Sequence, residues 1–238
     1  MTKRDALKRL AFIPARGGSK RIPKKAIAEF HGRPILAWPI AAAQQSALFD
    51  LIHVSSDDPA IRSAAEACGA DASLQRPAEL ADDHTGILPV ARWALQQLDA
   101  RGERFDDVFI LFPAAPLLEA RELVEAYDLY LAHGRTRNLL SVARAPTFPE
   151  WLFRRDADGR LAPLQPGGTF IRSQELSPAY YETGAFTIFS REYLLGDAPF
   201  DDSNYIGFEI PAWKAIDIDT PEDLEHARLL FPLLRDRA

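Results

Sequence analysis

The sequence predicts an α/β fold, a mostly parallel sheet covered by helices on both faces. Three observations carry that expectation. Short apolar strands alternate with helix-length segments from Leu10 to Gly134, the order of a parallel sheet rather than of hairpins. A Gly-Gly turn crowded with cations follows the first strand. Polar or Pro-rich loops follow the next two strands, and ligands of such sheets lie at the carboxyl ends of the strands.

Leu10–Pro14 reads as a short buried strand ending in the glycine loop. Ile35–Ser46, with Ala41, Ala42 and Ala43, reads as a helix. Leu51–Ser55 is a second strand, and Pro59–Cys68 a second helix closed by Gly69. Ile87–Leu98 is a third helix and Asp107–Phe112 a third strand, before a helix over Ala120–His133 capped by Gly134. The glycine loop, Ser55-Ser56-Asp57-Asp58 and Pro113-Ala114-Ala115-Pro116 all sit just after strands, so one cleft can take all three.

The pattern changes over 147–181. This stretch is rich in Pro and Gly and has little helical periodicity, so it reads as an excursion of hairpins and loops. Ala185–Phe189 and Ala215–Ile218 are expected strands. Thr220-Pro221-Glu222-Asp223 opens a last helix, with Thr220 as N-cap and Pro221 in the first helical position.

Length and composition bound the function. A chain of 238 residues suits a single domain spanning 1–238, with 147–181 as a modest insertion. At 47% hydrophobic and 26% charged it has ample material for a core. A net charge of −6 argues against broad nucleic-acid binding but not against a local basic pocket. The lone Cys68 excludes an internal disulfide or a cysteine-rich zinc site and fits a reducing cytoplasm. No signal peptide or long apolar run is visible, so a cytoplasmic protein that does not enter the membrane is expected.

The glycine loop carries the strongest chemistry. In Phe12-Ile13-Pro14-Ala15-Arg16-Gly17-Gly18-Ser19-Lys20-Arg21-Ile22-Pro23-Lys24-Lys25, four cations follow Arg16 within nine residues. Glycines let backbone approach a ligand, and Lys and Arg neutralise an anion. A polyphosphate is the ligand such a loop suits, although a strand-to-helix turn with solvated bases is the plainer alternative. Its spacing is neither that of the P-loop nor that of the dinucleotide fingerprint.

A second constellation is Ala215-Ile216-Asp217-Ile218-Asp219-Thr220-Pro221. In a strand, Asp217 and Asp219 share one face, where a hard cation such as Mg²⁺ would relieve their repulsion. The alternative is one helix-capping Asp and one solvated Asp, and spacing alone leaves both open. Arg76, in Arg76-Pro77-Ala78-Glu79-Leu80-Ala81-Asp82-Asp83, can make paired hydrogen bonds to a base or phosphate, or form a surface ion pair. Arg172-Ser173-Gln174-Glu175 is a similar candidate for a substrate carboxylate. The five histidines show no metal-ligand spacing, though His84, beside Asp82 and Asp83, sits in a loop that can reach the site.

Together these motifs resemble the acylneuraminate cytidylyltransferase family, whose members join CMP to nonulosonic acids. The resemblance runs through Ile13–Pro23, Val54–Asp58, Arg76–Leu80, Arg172–Gln174 and Asp217–Thr220. Arg76–Gly86, Arg172–Tyr180 and Ile216–Asp223 look most like the pseudaminic acid branch. It implies a Rossmann-like three-layer sandwich of the nucleotide-diphospho-sugar transferase type and an enzyme using CTP, Mg²⁺ and an acid sugar. Carried over, Arg16, Lys20 and Lys25 hold the triphosphate, with Gly17, Gly18 and Ser19. Arg76 reads cytosine, Asp217 and Asp219 bind Mg²⁺, and Arg172 and Gln174 hold the sugar. It also implies a homodimer in which 147–181 caps the partner's site.

Three departures stand out. Ala26 replaces the family's usual Asn. Leu111–Leu118 lacks the Gln and Arg of N-acetylneuraminate enzymes, and Tyr181-Glu182-Thr183-Gly184 differs from the pseudaminate pattern. The rival expectations are a synthetase for legionaminate, N-acetylneuraminate or 3-deoxy-octulosonate, or a non-catalytic nucleotide-binding homologue. A glycosyltransferase fits less well, because the basic loop suits a triphosphate better than a nucleotide sugar.

Overall fold

The computed structural model describes residues 7–197 and 199–235. Among the described residues ten strands occur in chain order. They are β1 (Arg9–Pro14), β2 (Glu29–Phe30), β3 (Arg33–Pro34), β4 (Leu51–Ser55), β5 (Asp107–Leu111), β6 (Asn138–Arg144), β7 (Phe153–Arg155), β8 (Leu161–Pro163), β9 (Tyr180–Ser190) and β10 (Tyr205–Glu209). The helices are α1 (Ala37–Ser46), α2 (Pro59–Ala67), α3 (Ile87–Ala100), α4 (Ala120–Ala132), α5 (Arg191–Leu195), α6 (Pro221–Leu230) and α7 (Pro232–Arg235).

Six strands form the central sheet in the order β10-β6-β9-β5-β1-β4. Pairing is parallel between β1 and β4, β1 and β5, and β6 and β10, and antiparallel where β9 lies between β5 and β6. Five strands of this sheet therefore point one way and β9 runs against them. The expected mostly parallel sheet is found.

Strand periodicity builds the layers. Along β1, Ala11 and Ile13 pack with α1, α2 and α4, while Leu10 and Phe12 pack with α3 and α5. A third cluster seats α6 on Phe30, Ile35 and Ile218, which brings the chain's end beside the segment that follows the glycine loop.

Every strand expected before Gly134 is present within a residue of its predicted bounds, and each predicted helix is present with ends moved by at most two residues. Thr220 caps α6 as expected: its Oγ1 accepts from the Asp223 backbone N–H, and Asp223 accepts in return from the Thr220 N–H. One expectation fails: Ala215–Ile218 is not a strand. It is an irregular segment between a single 3₁₀ turn, Ala212–Lys214, and α6.

The excursion over 147–181 holds the β7–β8 hairpin and three single 3₁₀ turns. Arg144 pairs with Tyr180, and the Ala145 N–H donates to the Ala179 carbonyl at 2.8 Å, so the excursion leaves the sheet and returns to it at one place. No helix among the described residues is long and apolar enough to cross a membrane.

Candidate active site

The loops at the carboxyl ends of β1 and β5 open into one cleft of about 630 Å³, within the range of small-molecule sites; the loop after β4, Ser56-Asp57-Asp58, does not line it. Arg16, Ser19, Lys20, Arg21, Lys25 and Ala26 line it from the glycine loop. Arg76 and Asp83 join from the loop before α3, Phe112 and Pro113 from the end of β5, and Asp219 from the segment before α6. Residues as far apart as 16 and 219 thus meet, as the motifs predicted.

The glycine loop is held from below. The Gly17 N–H donates to Asp57 Oδ1 at 3.0 Å, and Lys24 pairs with Asp58 at 3.3 Å. A Cβ on Gly17 would sit 3.0 Å from Asp58 Cβ, a tight contact that favours a glycine here. Gly18 is different. A Cβ there would meet nothing within 4 Å, and its φ is not positive. The protein's own geometry gives no reason for a glycine at this exposed position, whereas an approaching ligand would. Gly18 lines a second hollow of about 470 Å³, with Arg16, Lys20, Asp82, Asp83 and His84.

Arg76 is buried at 4% exposure. Its Nε donates to Ser55 Oγ at 3.2 Å and its Nη2 to the Ser55 carbonyl at 2.7 Å. Burial, with Arg16 nearby and Asp57 opposing, pushes its pKa down to about 10, so it stays a cation at neutral pH. A fixed guanidinium on a cleft wall can recognise a planar acceptor.

The acidic segment meets the basic one. Lys25 Nζ donates to the Ile218 carbonyl at 2.5 Å and lies 3.1 Å from Asp219 Oδ1, while Arg21 holds Asp219 Oδ2 at 2.7 Å. In this segment Ile218 is fully buried and Asp217 lies at the surface, while Ile216 and Asp219 are both half-buried. Lys214, just before this segment, is buried between Glu119 and Glu122, 2.7 Å from Glu122 Oε1.

Although Asp217 as a residue is exposed, its carboxyl is raised above the ordinary Asp range, first by partial desolvation from the groups around it and then by the charge of Asp219. Glu182 on β9 is raised too, by burial and then by Asp217. Gly184 makes room for the pair, since a Cβ there would lie 3.0 Å from Asp217 Cγ. Asp217 and Asp219 are oxygen donors of the kind a hard divalent cation takes, although Asp219 has one oxygen on Lys25 and the other on Arg21. Among the described residues no group of three His, Cys, Asp or Glu is arranged to hold a metal, so any ion here would keep several waters or substrate oxygens.

Four expected site residues line neither hollow: Gly17, which lies against Asp57 and Asp58, Asp217, and the pair on the excursion. That pair, Arg172 and Gln174, is exposed. Ala26 does line the cleft, buried at 4% exposure, so an apolar methyl stands where an amide was expected. Asp57, Asp83, Glu182 and Lys214 were not singled out from the sequence. Asp57 belongs to the quoted loop after a strand, Asp83 to the quoted loop of Arg76, and Glu182 to the departing tract Tyr181–Gly184, which are the available signals; Lys214 carries none.

A sequence profile described as cytidylyltransferase matches residues 10–136. The chain is 34% identical to the pseudaminic acid cytidylyltransferase of Campylobacter jejuni subsp. jejuni serotype O:23/36 (strain 81-176), over 98% of this chain and 100% of that protein. It is 28% identical to a CMP-N,N'-diacetyllegionaminic acid synthase of Legionella pneumophila subsp. pneumophila (strain Philadelphia 1), over 90% of this chain and 92% of that one. A solved CMP:2-keto-3-deoxy-manno-octonic acid synthetase complexed with CTP shares the fold, with a TM-score of 0.72 at 19% identity, covering 95% of this chain and 99% of that chain. A basic glycine loop, a buried Arg76 and an acidic segment around one cleft are thus joined to sequence similarity along nearly the whole chain: it belongs to the cytidylyltransferase family.

Proposed function

We propose that this chain activates a nonulosonic acid, with pseudaminic acid favoured, by transferring CMP from CTP and releasing pyrophosphate. One observation carries the reading: Arg16, Lys20, Arg21 and Lys25 converge on a single cleft that also holds buried Arg76 and Asp219.

Arg16, Lys20 and Lys25, with Gly17, Gly18 and Ser19, receive the triphosphate; Arg76 faces the cytosine. The sugar's anomeric hydroxyl attacks the α-phosphorus in line. A new P–O bond forms there, the bond to the bridging oxygen breaks, and pyrophosphate leaves. Such chemistry depends on positioning and charge neutralisation more than on covalent help. The cations steady the charge of the leaving pyrophosphate, and Lys25 fixes the acidic segment against the glycine loop. Mg²⁺ at Asp217 and Asp219 would neutralise phosphate charge and acidify the attacking hydroxyl.

The chain works in the cytoplasm as a homodimer, one domain over 1–238 with 147–181 as the dimerisation and capping arm. Support comes from apolar side chains exposed on the arm, among them Leu161 at 60% and Phe170 at 90%; clustered exposure of this kind marks an interface. Arg172 and Gln174, outside their own cleft, then reach the sugar in the partner's.

A pyrophosphate-release assay with CTP, Mg²⁺ and a panel of nonulosonic acids tests the reading, with ATP, GTP and UTP as controls. Turnover is expected with CTP and pseudaminic acid. Turnover with legionaminate, N-acetylneuraminate or 3-deoxy-octulosonate instead would reassign the sugar. Activity with none would favour the non-catalytic homologue, the reading to which Ala26 lends some support.

A further inference from the structure

The cations proposed to take the triphosphate already hold an anion. Asp83 Oδ1 lies 2.7 Å from Arg16 Nη1, and Asp83 Oδ2 lies 2.5 Å from Lys20 Nζ. One carboxylate thus places an oxygen on each cation, the arrangement two non-bridging phosphate oxygens would adopt. Arg16 Nη1 also donates to the Asp82 carbonyl at 2.8 Å.

The bridge stands where the two hollows meet. Arg16, Lys20 and Asp83 line both the hollow that contains Arg76 and the one that contains Gly18. While the bridge is made, it separates the exposed glycine from the rest of the cleft. The residues carrying Asp83 run between two fixed points: Arg76, tied to Ser55, and the start of α3 at Ile87. Between them the chain is mostly exposed, and Asp83 itself keeps 39% of its side chain in solvent. Exposed ion pairs are weak, so this contact is one that a ligand can displace.

We propose that Asp83 is an internal phosphate mimic, an autoinhibitory latch that occupies Arg16 and Lys20 in the empty enzyme and is expelled by the nucleotide. The proposal rests on reading Arg16 and Lys20 as triphosphate ligands. The latch lowers apparent CTP affinity by the fraction of molecules in which it is closed. It also competes with pyrophosphate for the same two cations after transfer, which shortens the residence of that product.

Calorimetric titration of CTP and of pyrophosphate into wild-type protein, Asp83→Asn and Arg16→Ala tests it. Asp83→Asn keeps the shape of the side chain and removes its charge, and is expected to bind both ligands about three- to tenfold more tightly. Arg16→Ala is expected to weaken both about tenfold or more. In an Arg16→Ala/Lys20→Ala background, Asp83→Asn should no longer tighten binding, since the latch has lost its seats. Unchanged or weaker binding by Asp83→Asn, with Arg16→Ala impaired, overturns the latch and leaves the triphosphate reading intact. Unchanged binding by Arg16→Ala overturns that reading, and the latch with it.

Discussion

Lys25 and Asp219, 194 positions apart in the chain, meet at 3.1 Å, and the same ammonium donates to the Ile218 carbonyl at 2.5 Å. The end of the basic loop and the acidic segment are therefore joined before any ligand arrives. Lys25→Ala removes this tie together with the phosphate contact proposed for Lys25. CTP binding should fall on the order of 10- to 100-fold, measured by titration. Unchanged affinity would return Lys25 to a purely structural role.

Gly18 separates ligand requirement from folding requirement. With nothing within 4 Å of a built Cβ, Gly18→Ala should fold normally and gain up to about 1 kcal/mol from a less flexible unfolded chain. The CTP KM should nonetheless rise about tenfold, since a methyl would hold the phosphates away from the backbone. Thermal melts and steady-state kinetics on one preparation check both halves. A KM that does not move would mean no ligand comes close there.

Asp217 predicts opposite effects on stability and activity. Its carboxyl is raised by partial desolvation and by Asp219, so the folded state holds that proton more tightly than the unfolded chain does. Such a group contributes nothing at a pH below both values. Its destabilisation sets in as pH rises from the ordinary Asp range through the raised value, and is complete at neutral pH. Asp217→Asn should therefore melt higher than wild type at pH 7 and no higher at pH 3. Its turnover should drop on the order of 10²- to 10³-fold. A lower melting temperature at pH 7 would contradict the electrostatic account.

Phe170 is 90% exposed on the arm. Sedimentation of the wild type at micromolar concentration should show a dimer, and Phe170→Asp should shift it toward monomer while leaving the far-ultraviolet circular dichroism unchanged. A wild-type monomer would remove the arm from any role in assembly.

The first half of the fold was legible because each strand there is short and apolar and is followed by a helix-length segment. The direction of β9 was not, since the sequence of a strand does not say which way its neighbours run. β6 and β10 went unread: Asn-Leu-Leu-Ser-Val-Ala-Arg and Tyr-Ile-Gly-Phe-Glu are strands through their partners rather than their composition. In the site, cations near Gly17-Gly18 announced an anion because they are consecutive. That Asp83 would sit on Arg16 depends on a contact spanning 67 positions, which no local pattern contains. The Asp217–Asp219 alternation suggested a strand where there is none, because buried Ile218 imposes sidedness whether or not a ladder of hydrogen bonds forms.

The closed stem at Arg144 and Tyr180 has an evolutionary consequence. A segment whose two ends meet on the sheet can lengthen, shorten or be exchanged without shifting the register of β6 or β9, and the entropic cost of closing it grows only with the logarithm of its length. The arm between those ends is thus a replaceable cassette. Under the reading proposed above, in which the arm carries the dimer contacts and the sugar ligands, grafting another family member's arm onto this stem would change partner and sugar preference while the nucleotide chemistry stays where it is.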